Sequence, residues 1–412
     1  MVHSLYFAVL AAAFGVAVQA MPASVSQTES PVKGKYIVAL KPGSNFDDLN
    51  THLSWVDGVA KRGLSSAEVQ GIEKVYSGPS DFHAYAGHFS EATIAEIRSS
   101  PHVALVEEDK LWELAVTGKL LLLSRPQRHT AKVSSDFKAT VQQNSTWGLG
   151  AISHRQKGSM EYVYKNNSGE GTFAYVIDSG IRTTHDEFEG RAESAFSVYD
   201  TNEDDIGHGT HVAGTIGGKN FGVAKKTHLL AVKVFSGRYA NMSAVLDGFN
   251  WAVNDIIAKN RTRSAVINMS LGGPFSAVFN VAVEKAAKSG VIMIVASGNS
   301  AENASGWSPA SSPNAITVGA IDRDWRQAEY SNYGESVDIL GPGSDVTSAG
   351  TQSDSESLSD TGTSMAAPHI AGLALNAIST EKITELAEVT KHLLKTATKG
   401  RIEGGLMGVS KM

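Results

Sequence analysis

Five short apolar runs recur between residues 172 and 320: TFAYVI (172–177), THLLAVKV (227–234), SAVINM (264–269), GVIMIVA (290–296) and NAITVGA (314–320). They are close to continuously apolar rather than alternating, so each suits a strand buried on both faces. Helical stretches at 208–218, 241–259, 276–289 and 364–378 lie among them. In the second of these, Val245, Phe249, Ala252, Ile256 and Ile257 share one face. Strand and helix in this alternation predict an α/β domain, with a doubly wound parallel sheet covered by helices on both sides. Ligands of such sheets collect beyond the carboxyl ends of the strands.

The residues at those ends are chemically specific. TFAYVI runs into Asp178, SAVINM into Ser270-Leu271-Gly272-Gly273, and GVIMIVA into Ser297-Gly298-Asn299. GHGTHVAGTIGG opens a helix at His208, and GTSMAAPHIAG opens another at Ser364. A serine hydroxyl becomes a nucleophile when an imidazole takes its proton and a carboxylate holds that imidazole's tautomer. The oxyanion that forms needs fixed donors, such as a backbone N–H and a side-chain amide. Asp178, His208, Ser364 and Asn299 supply one of each part, and a helix N-terminus at Ser364 adds free N–H groups.

The N-terminal part has a different character. Residues 35–116 read as strand, helix, strand, strand, helix, strand, the split α+β ferredoxin-like order. Residues 117–139 carry the isolated run Leu120–Leu123 and then Arg125, Arg128, Lys132 and Lys138, which reads as a linker. Residues 1–20 contain an apolar stretch ending in Val18-Gln19-Ala20, the pattern of a cleaved secretory leader. Export agrees with sequons at Asn144, Asn166, Asn241, Asn260 and Asn303 as glycosylation sites, whereas Asn268 ends an apolar strand and is expected to be buried. The chain has no cysteine, so core size and bound ions must supply what disulfides cannot. A net charge of −6 argues against nucleic acid, and no segment after the leader is apolar enough to span a membrane. A secreted monomer is expected.

The motifs YVIDSGI, GHGTHVAGTIGG, INMSLGG, ASGNS and GTSMAAPHIAG resemble those of the subtilisin-like serine proteases, in the same Asp, His, Ser order. The likeness covers roughly residues 140–398 and is greatest to the fungal proteinase K-like branch. Residues 35–112 resemble the inhibitory propeptide of these enzymes. The resemblance implies a zymogen organised as leader 1–20, propeptide domain 21–116, linker 117–139 with the maturation site near its end, and catalytic domain 140–412. It implies a triad of Asp178, His208 and Ser364 with Asn299 as oxyanion donor. It implies a primary specificity pocket formed by Ser270, Leu271, Gly272, Gly273, Ser297 and Gly298. No cofactor is implied for catalysis, but a structural calcium would fall on Asp338 with the carbonyls of Pro313 and Ala315. Partners would be protein or peptide substrates and the chain's own propeptide. Small uncharged residues in the pocket segments favour bulky apolar residues before the scissile bond.

The segment VKVFSGRYANMS (232–243) is shorter than the family pattern at the edge strand that pairs with substrate, which leaves extended-site preferences open. Counting back from Trp147 places the mature N-terminus near Thr140, within 136–144. Two other readings are a non-catalytic inhibitor using residues 35–116 and a metal hydrolase using His208 and His211. The intact triad disfavours the first. The second lacks both the four-residue histidine spacing and the glutamate of zinc proteases, so His211 and His369 are expected to be structural.

Overall fold

The computed structural model describes residues 33–62, 71–117, 121–122, 130–133 and 139–407. The expected leader lies outside them. The first unit runs β1 (Lys35–Leu40), α1 (Phe46–Arg62), β2 (Gly71–Tyr76), β3 (Ala84–His88), α2 (Glu91–Ser99) and β4 (Val103–Glu108). Its four strands form one antiparallel sheet in the order β2-β3-β1-β4, as expected of the ferredoxin-like pattern. Three short strands follow: β5 (Leu111–Leu114), β6 (Leu121–Leu122) and β7 (Thr130–Val133).

The second unit opens with β8 (Ala139–Gln143), α3 (Trp147–Ser153) and β9 (Tyr162–Lys165). The sheet strands are β10 (Phe173–Asp178), β11 (Ala192–Ser197), β12 (His228–Lys233), β14 (Ala265–Met269), β16 (Ile292–Ala296), β18 (Ile316–Ile321) and β19 (Ile339–Pro342). They form a seven-stranded sheet in the order β11-β12-β10-β14-β16-β18-β19, and every pairing is parallel. The helices are α4 (His208–Gly217), α5 (Met242–Ala258), α6 (Ala277–Lys288), α7 (Thr363–Asn376) and α8 (Leu386–Thr396). Outside the main sheet lie β13 (Tyr239–Asn241), β15 (Leu271–Pro274), β17 (Trp307–Ser308), β20 (Val346–Ala349) and β21 (Ser357–Asp360).

Strand β10 shows why a continuous apolar run is required. Ala174 and Val176 face a core shared with α4 and α7, while Tyr175 and Ile177 face the core of α5 and α6. Successive side chains point to opposite faces, so a strand with helices on both sides has no polar position to spare. The α5–α6 core does not stop at the second unit: Ile37, Tyr76, Phe82 and Ala84 of the first unit are buried in the same cluster. Among the described residues, no helix is long and apolar enough to cross a membrane.

Candidate active site

Asp178 is the last residue of β10, and its Oδ1 accepts the Ser179 N–H and the His208 Nδ1–H, each at 2.7 Å. His208 begins α4 and is buried. Burial alone would lower its pKa, but the charge and hydrogen bond of Asp178, with the charges of Asp360 and Asp204, outweigh burial and raise it. The imidazole is therefore disposed to take a proton.

Asp204 fixes this pair, a role that no motif in the sequence marks. Its Oδ1 accepts from Ser179 Oγ and the Gly207 N–H at 2.8 Å, and its Oδ2 accepts from the Thr210 N–H and hydroxyl at 2.8 and 2.6 Å. One buried carboxylate thus ties the first turn of α4 to the residue after Asp178, and capping the free N–H groups of a helix is what a carboxylate does well there.

Ser364 is the second residue of α7 and is buried. Its hydroxyl donates to the Ser270 carbonyl at 2.8 Å, while His208 Nε2 is buried without a hydrogen-bond partner. Asn299 accepts at Oδ1 from the Thr363 N–H and hydroxyl, and its Nδ2 is buried without a partner. The unpartnered groups are the ones that a reacting peptide would satisfy.

That space is occupied by the chain's own residues 111–117. Strand β5 lies between β13 and β15, antiparallel to both, with Trp112 opposite Ala240 and Leu114 opposite Leu271. The Ala115 N–H donates to the Ser270 carbonyl at 3.1 Å, and the Ala115 carbonyl accepts the Ser364 N–H at 3.2 Å. A Cβ on Gly362 would lie 2.4 Å from that carbonyl oxygen and 3.1 Å from Asn299 Nδ2, so only glycine admits both. Trp112 is buried against Phe279, with ring centroids 4.5 Å apart, over Gly273, where a Cβ would fall 2.0 Å from the indole.

The shortened 232–243 segment therefore keeps a three-residue edge strand. Of the expected pocket residues, Gly272 and Gly298 line the cavity beside Ala115. Ser270, Leu271 and Gly272 meet the backbone of 113–115, Gly273 lies against the Trp112 ring, and Ser297 and Gly298 border Asn299 and are held by Asn332 and Thr363. Sequence reasoning missed Trp307 and Tyr330, which line the cavity of about 270 Å³ beside Ala115, with Gly272 and Gly298. Of the stretch 136–144 in which the mature N-terminus is expected, 136–138 lie outside the described residues, and 139–143 are the middle strand of the antiparallel sheet β7-β8-β9. A polar stretch without helical periodicity can satisfy its backbone in a sheet as readily as in a cleft.

Two carboxylates of the first unit anchor its docking. Glu107 Oε1 accepts the N–H groups of Ala277 and Val278 at 2.7 and 3.2 Å, and its Oε2 accepts the Ser276 hydroxyl at 2.6 Å, at the start of α6. Asp109 accepts the N–H and hydroxyl of Ser243 at 2.8 and 2.6 Å, at the start of α5. Burial raises the Asp109 pKa against the lowering effect of those bonds.

The two other histidines are structural. His211 Nε2 faces the Val346 carbonyl at 2.9 Å, and burial pushes its pKa down to about 3. His369 Nδ1 faces the Met365 carbonyl at 2.8 Å, and burial pushes its pKa down to about 4. Among the described residues there is no group of three or more His, Cys, Asp or Glu suited to a metal. The calcium expectation asks less, one carboxylate with two carbonyls. Asp338 Oδ2 accepts the Thr317 N–H at 3.0 Å, which holds the carboxylate against the first residues of β18, and a carboxylate with backbone carbonyls is the kind of oxygen donor that calcium takes. Of the sequon asparagines, Asn144, Asn166, Asn260 and Asn303 are exposed, Asn241 is half-buried in β13 and Asn268 is fully buried.

Comparison with known proteins agrees with this arrangement. The model of the subtilase family matches residues 169–409, and that of the peptidase inhibitor I9 family matches residues 35–115. The chain is 46% identical over 395 residues to the alkaline proteinase of Hapsidospora chrysogena, covering 95% of this chain and 94% of that one. It is 45% identical over 400 residues to alkaline protease 1 of Emericella nidulans, covering 95% and 92%. A crystal structure of a cold-adapted subtilisin-like serine proteinase matches with a TM-score of 0.59 and 36% identity, over 64% of this chain and 95% of that one. The chain belongs to the subtilase family of serine proteases, and its first unit is the inhibitor-type propeptide that makes it a zymogen.

Proposed function

We propose that this is a secreted endopeptidase in which Ser364 attacks a peptide carbonyl, His208 takes and returns the proton, and Asp178 holds the imidazole. The observation that carries the reading is the Ala115 carbonyl oxygen 3.2 Å from the Ser364 N–H, where an oxyanion would form. Asn299 Nδ2 supplies the second donor. For attack, the Ser364 hydroxyl turns from the Ser270 carbonyl to His208 Nε2, a rotation about one side-chain bond. Proton transfer and acyl transfer then follow the general serine-hydrolase course, with water releasing the acyl group.

The cavity beside Ala115 supports a preference for bulky apolar or aromatic residues before the scissile bond. Trp307 and Tyr330 give its walls apolar area, Gly272 and Gly298 leave room, and Arg238 is the one charged residue that the second unit contributes to it. Export follows from the leader-like residues 1–20. Asn144, Asn166, Asn260 and Asn303 are the glycosylation sites that exposure favours. A calcium held by Asp338 and the carbonyls of Pro313 and Ala315 would stabilise the fold and take no part in the chemistry.

The test is Ser364→Ala, which should fold, lose peptidase activity and keep its propeptide attached. Activity within about tenfold of wild type would exclude Ser364 as nucleophile. In the active protein, peptides with Phe before the scissile bond should exceed matched Glu peptides in kcat/KM. Equal values would remove the specificity reading.

A further inference from the structure

A cavity of about 370 Å³ lies apart from the triad, bounded by α3, the end of β18, β19, α7, α8 and the residues that follow α8. Its walls are chiefly apolar: Ile339, Ile370 and Leu393 are buried there, and Ile152, Leu373 and Ile402 are half-buried. Helix α7 also carries Ser364, but neither the triad nor the residues that hold 111–117 reach this space. An apolar cavity of about 150 Å³ is already enough to hold benzene, and ligand sites run from about 300 Å³ upward with a few polar groups among apolar walls.

The charged groups on the lining are Arg155, Arg401, Glu381 and His392. Glu381, the one carboxylate among them, is already matched. Its Oε1 accepts from Lys165 Nζ at 3.4 Å and its Oε2 lies 3.6 Å from His392 Nδ1. Arg155 is exposed and gives two N–H groups to the Thr396 carbonyl and the Thr398 hydroxyl, at 2.9 and 3.3 Å, which leaves its other N–H groups open. Arg401 is exposed and makes no hydrogen bond or ion pair among the described residues. An apolar interior thus opens at a mouth with an excess of positive charge.

We infer that this cavity binds an unbranched aliphatic monocarboxylate, a fatty-acid-like amphiphile, with its alkyl chain between α7 and α8 and its carboxylate at Arg401 and the open N–H groups of Arg155. The chain removes the apolar walls from water. A polar group farther along it would be buried without a partner, so the ligand is polar at one end only. The guanidinium plane suits a carboxylate, whereas a cationic head would meet two like charges. Such a ligand touches α3, α7 and α8 at once, and so it braces a fold that has no disulfide. The binding requires neither the serine chemistry nor the first unit, since every residue of the lining belongs to the second.

The experiment is calorimetric titration and thermal melting of the full chain, its peptidase activity blocked by a serine-directed inhibitor. The probes are hexanoate, octanoate, decanoate and dodecanoate below micelle formation, beside decyltrimethylammonium. A single saturable site is expected, with Kd falling about fourfold per added methylene until the cavity is full and levelling off thereafter. The thermal midpoint should rise with occupancy. Decyltrimethylammonium should bind about tenfold more weakly than decanoate, or less well still. Arg401→Gln should weaken decanoate roughly fivefold, as loss of one exposed ion pair does. Ala151→Phe places a ring in the cavity and should abolish binding; should that variant not fold, Ala397→Leu, just past α8, takes its place with a smaller loss expected. Absence of saturable binding, equal affinity for the anion and the cation, or decanoate binding untouched by the filling variant overturns the inference. Binding that appears only after residues 408–412 are deleted would make the chain's own end the occupant, and overturns it too.

Discussion

Asn299 and Thr363 are joined twice: the Thr363 N–H and its hydroxyl both donate to Asn299 Oδ1 at 2.9 Å. With its acceptor oxygen committed, the amide can present only N–H groups to the carbonyl that sits beside Gly362. Replacing Asn299 by Ala should lower kcat by roughly a hundredfold or more with little change in KM, a magnitude taken from removal of one oxyanion donor in subtilisin. Thr363→Val, which keeps the backbone donor and loses the hydroxyl, should give a smaller loss of the same kind. A defect confined to KM in either variant would contradict the role.

Asp360 gives the site a third nearby carboxylate, after Asp178 and Asp204. It is buried, its own pKa is raised by burial, and its charge is among those raising that of His208. His208 must be neutral to accept a proton, so activity falls as pH drops through its raised pKa. Removing the Asp360 charge in Asp360→Asn lowers that pKa and moves the acid limb of the kcat/KM profile to lower pH. A limb that stays in place, or moves upward, would show that the Asp360 charge does not reach the imidazole.

Glu107 predicts how fast inhibition is relieved. Glu107→Ala leaves the Ala277 and Val278 N–H groups without their carboxylate, at a cost of about 1–2 kcal/mol. The cut propeptide should then leave the processed complex roughly 5–30 times faster. The lag in activation progress curves measures this, and an unchanged lag would place the docking energy elsewhere.

For calcium, chelation should lower the thermal midpoint of the mature enzyme, and Asp338→Asn should abolish that sensitivity. An ion present at a hundred times its dissociation constant stabilises by about 2.7 kcal/mol, enough to shift the midpoint by several degrees. Equal melting with and without chelator removes the site.

The central strands, the four covering helices and the order of the propeptide elements were legible because burial on both faces leaves a dense apolar record. The sheet's outer strands were not. Residues 192–197 are half-exposed, and 339–342 contain Gly341 and Pro342, so neither carries the apolar run that marks an inner strand. The triad candidates stood out through chemistry at strand ends. Asp204 did not, because its role depends on what folds around it. Strand β5 was equally silent: LWEL acquires its meaning from Tyr239 and Gly272, more than a hundred residues away. Within the run Leu120–Leu123, Leu121 and Leu122 read as linker in the sequence because the edge they pair with, β21, lies more than two hundred residues away.

The place of β5 between β13 and β15 has a consequence for what the free enzyme can attack. With residues 111–115 gone, two strand edges face each other across a gap one strand wide. A substrate enters by completing that sheet through its own main chain, which every residue except proline can do. Recognition is then chiefly a test of shape. A chain segment must be able to leave its own structure and lie straight for several residues, so compact folded proteins should resist and loosened ones should be consumed. Durability of a protein in the presence of this enzyme becomes a measure of how seldom its segments open.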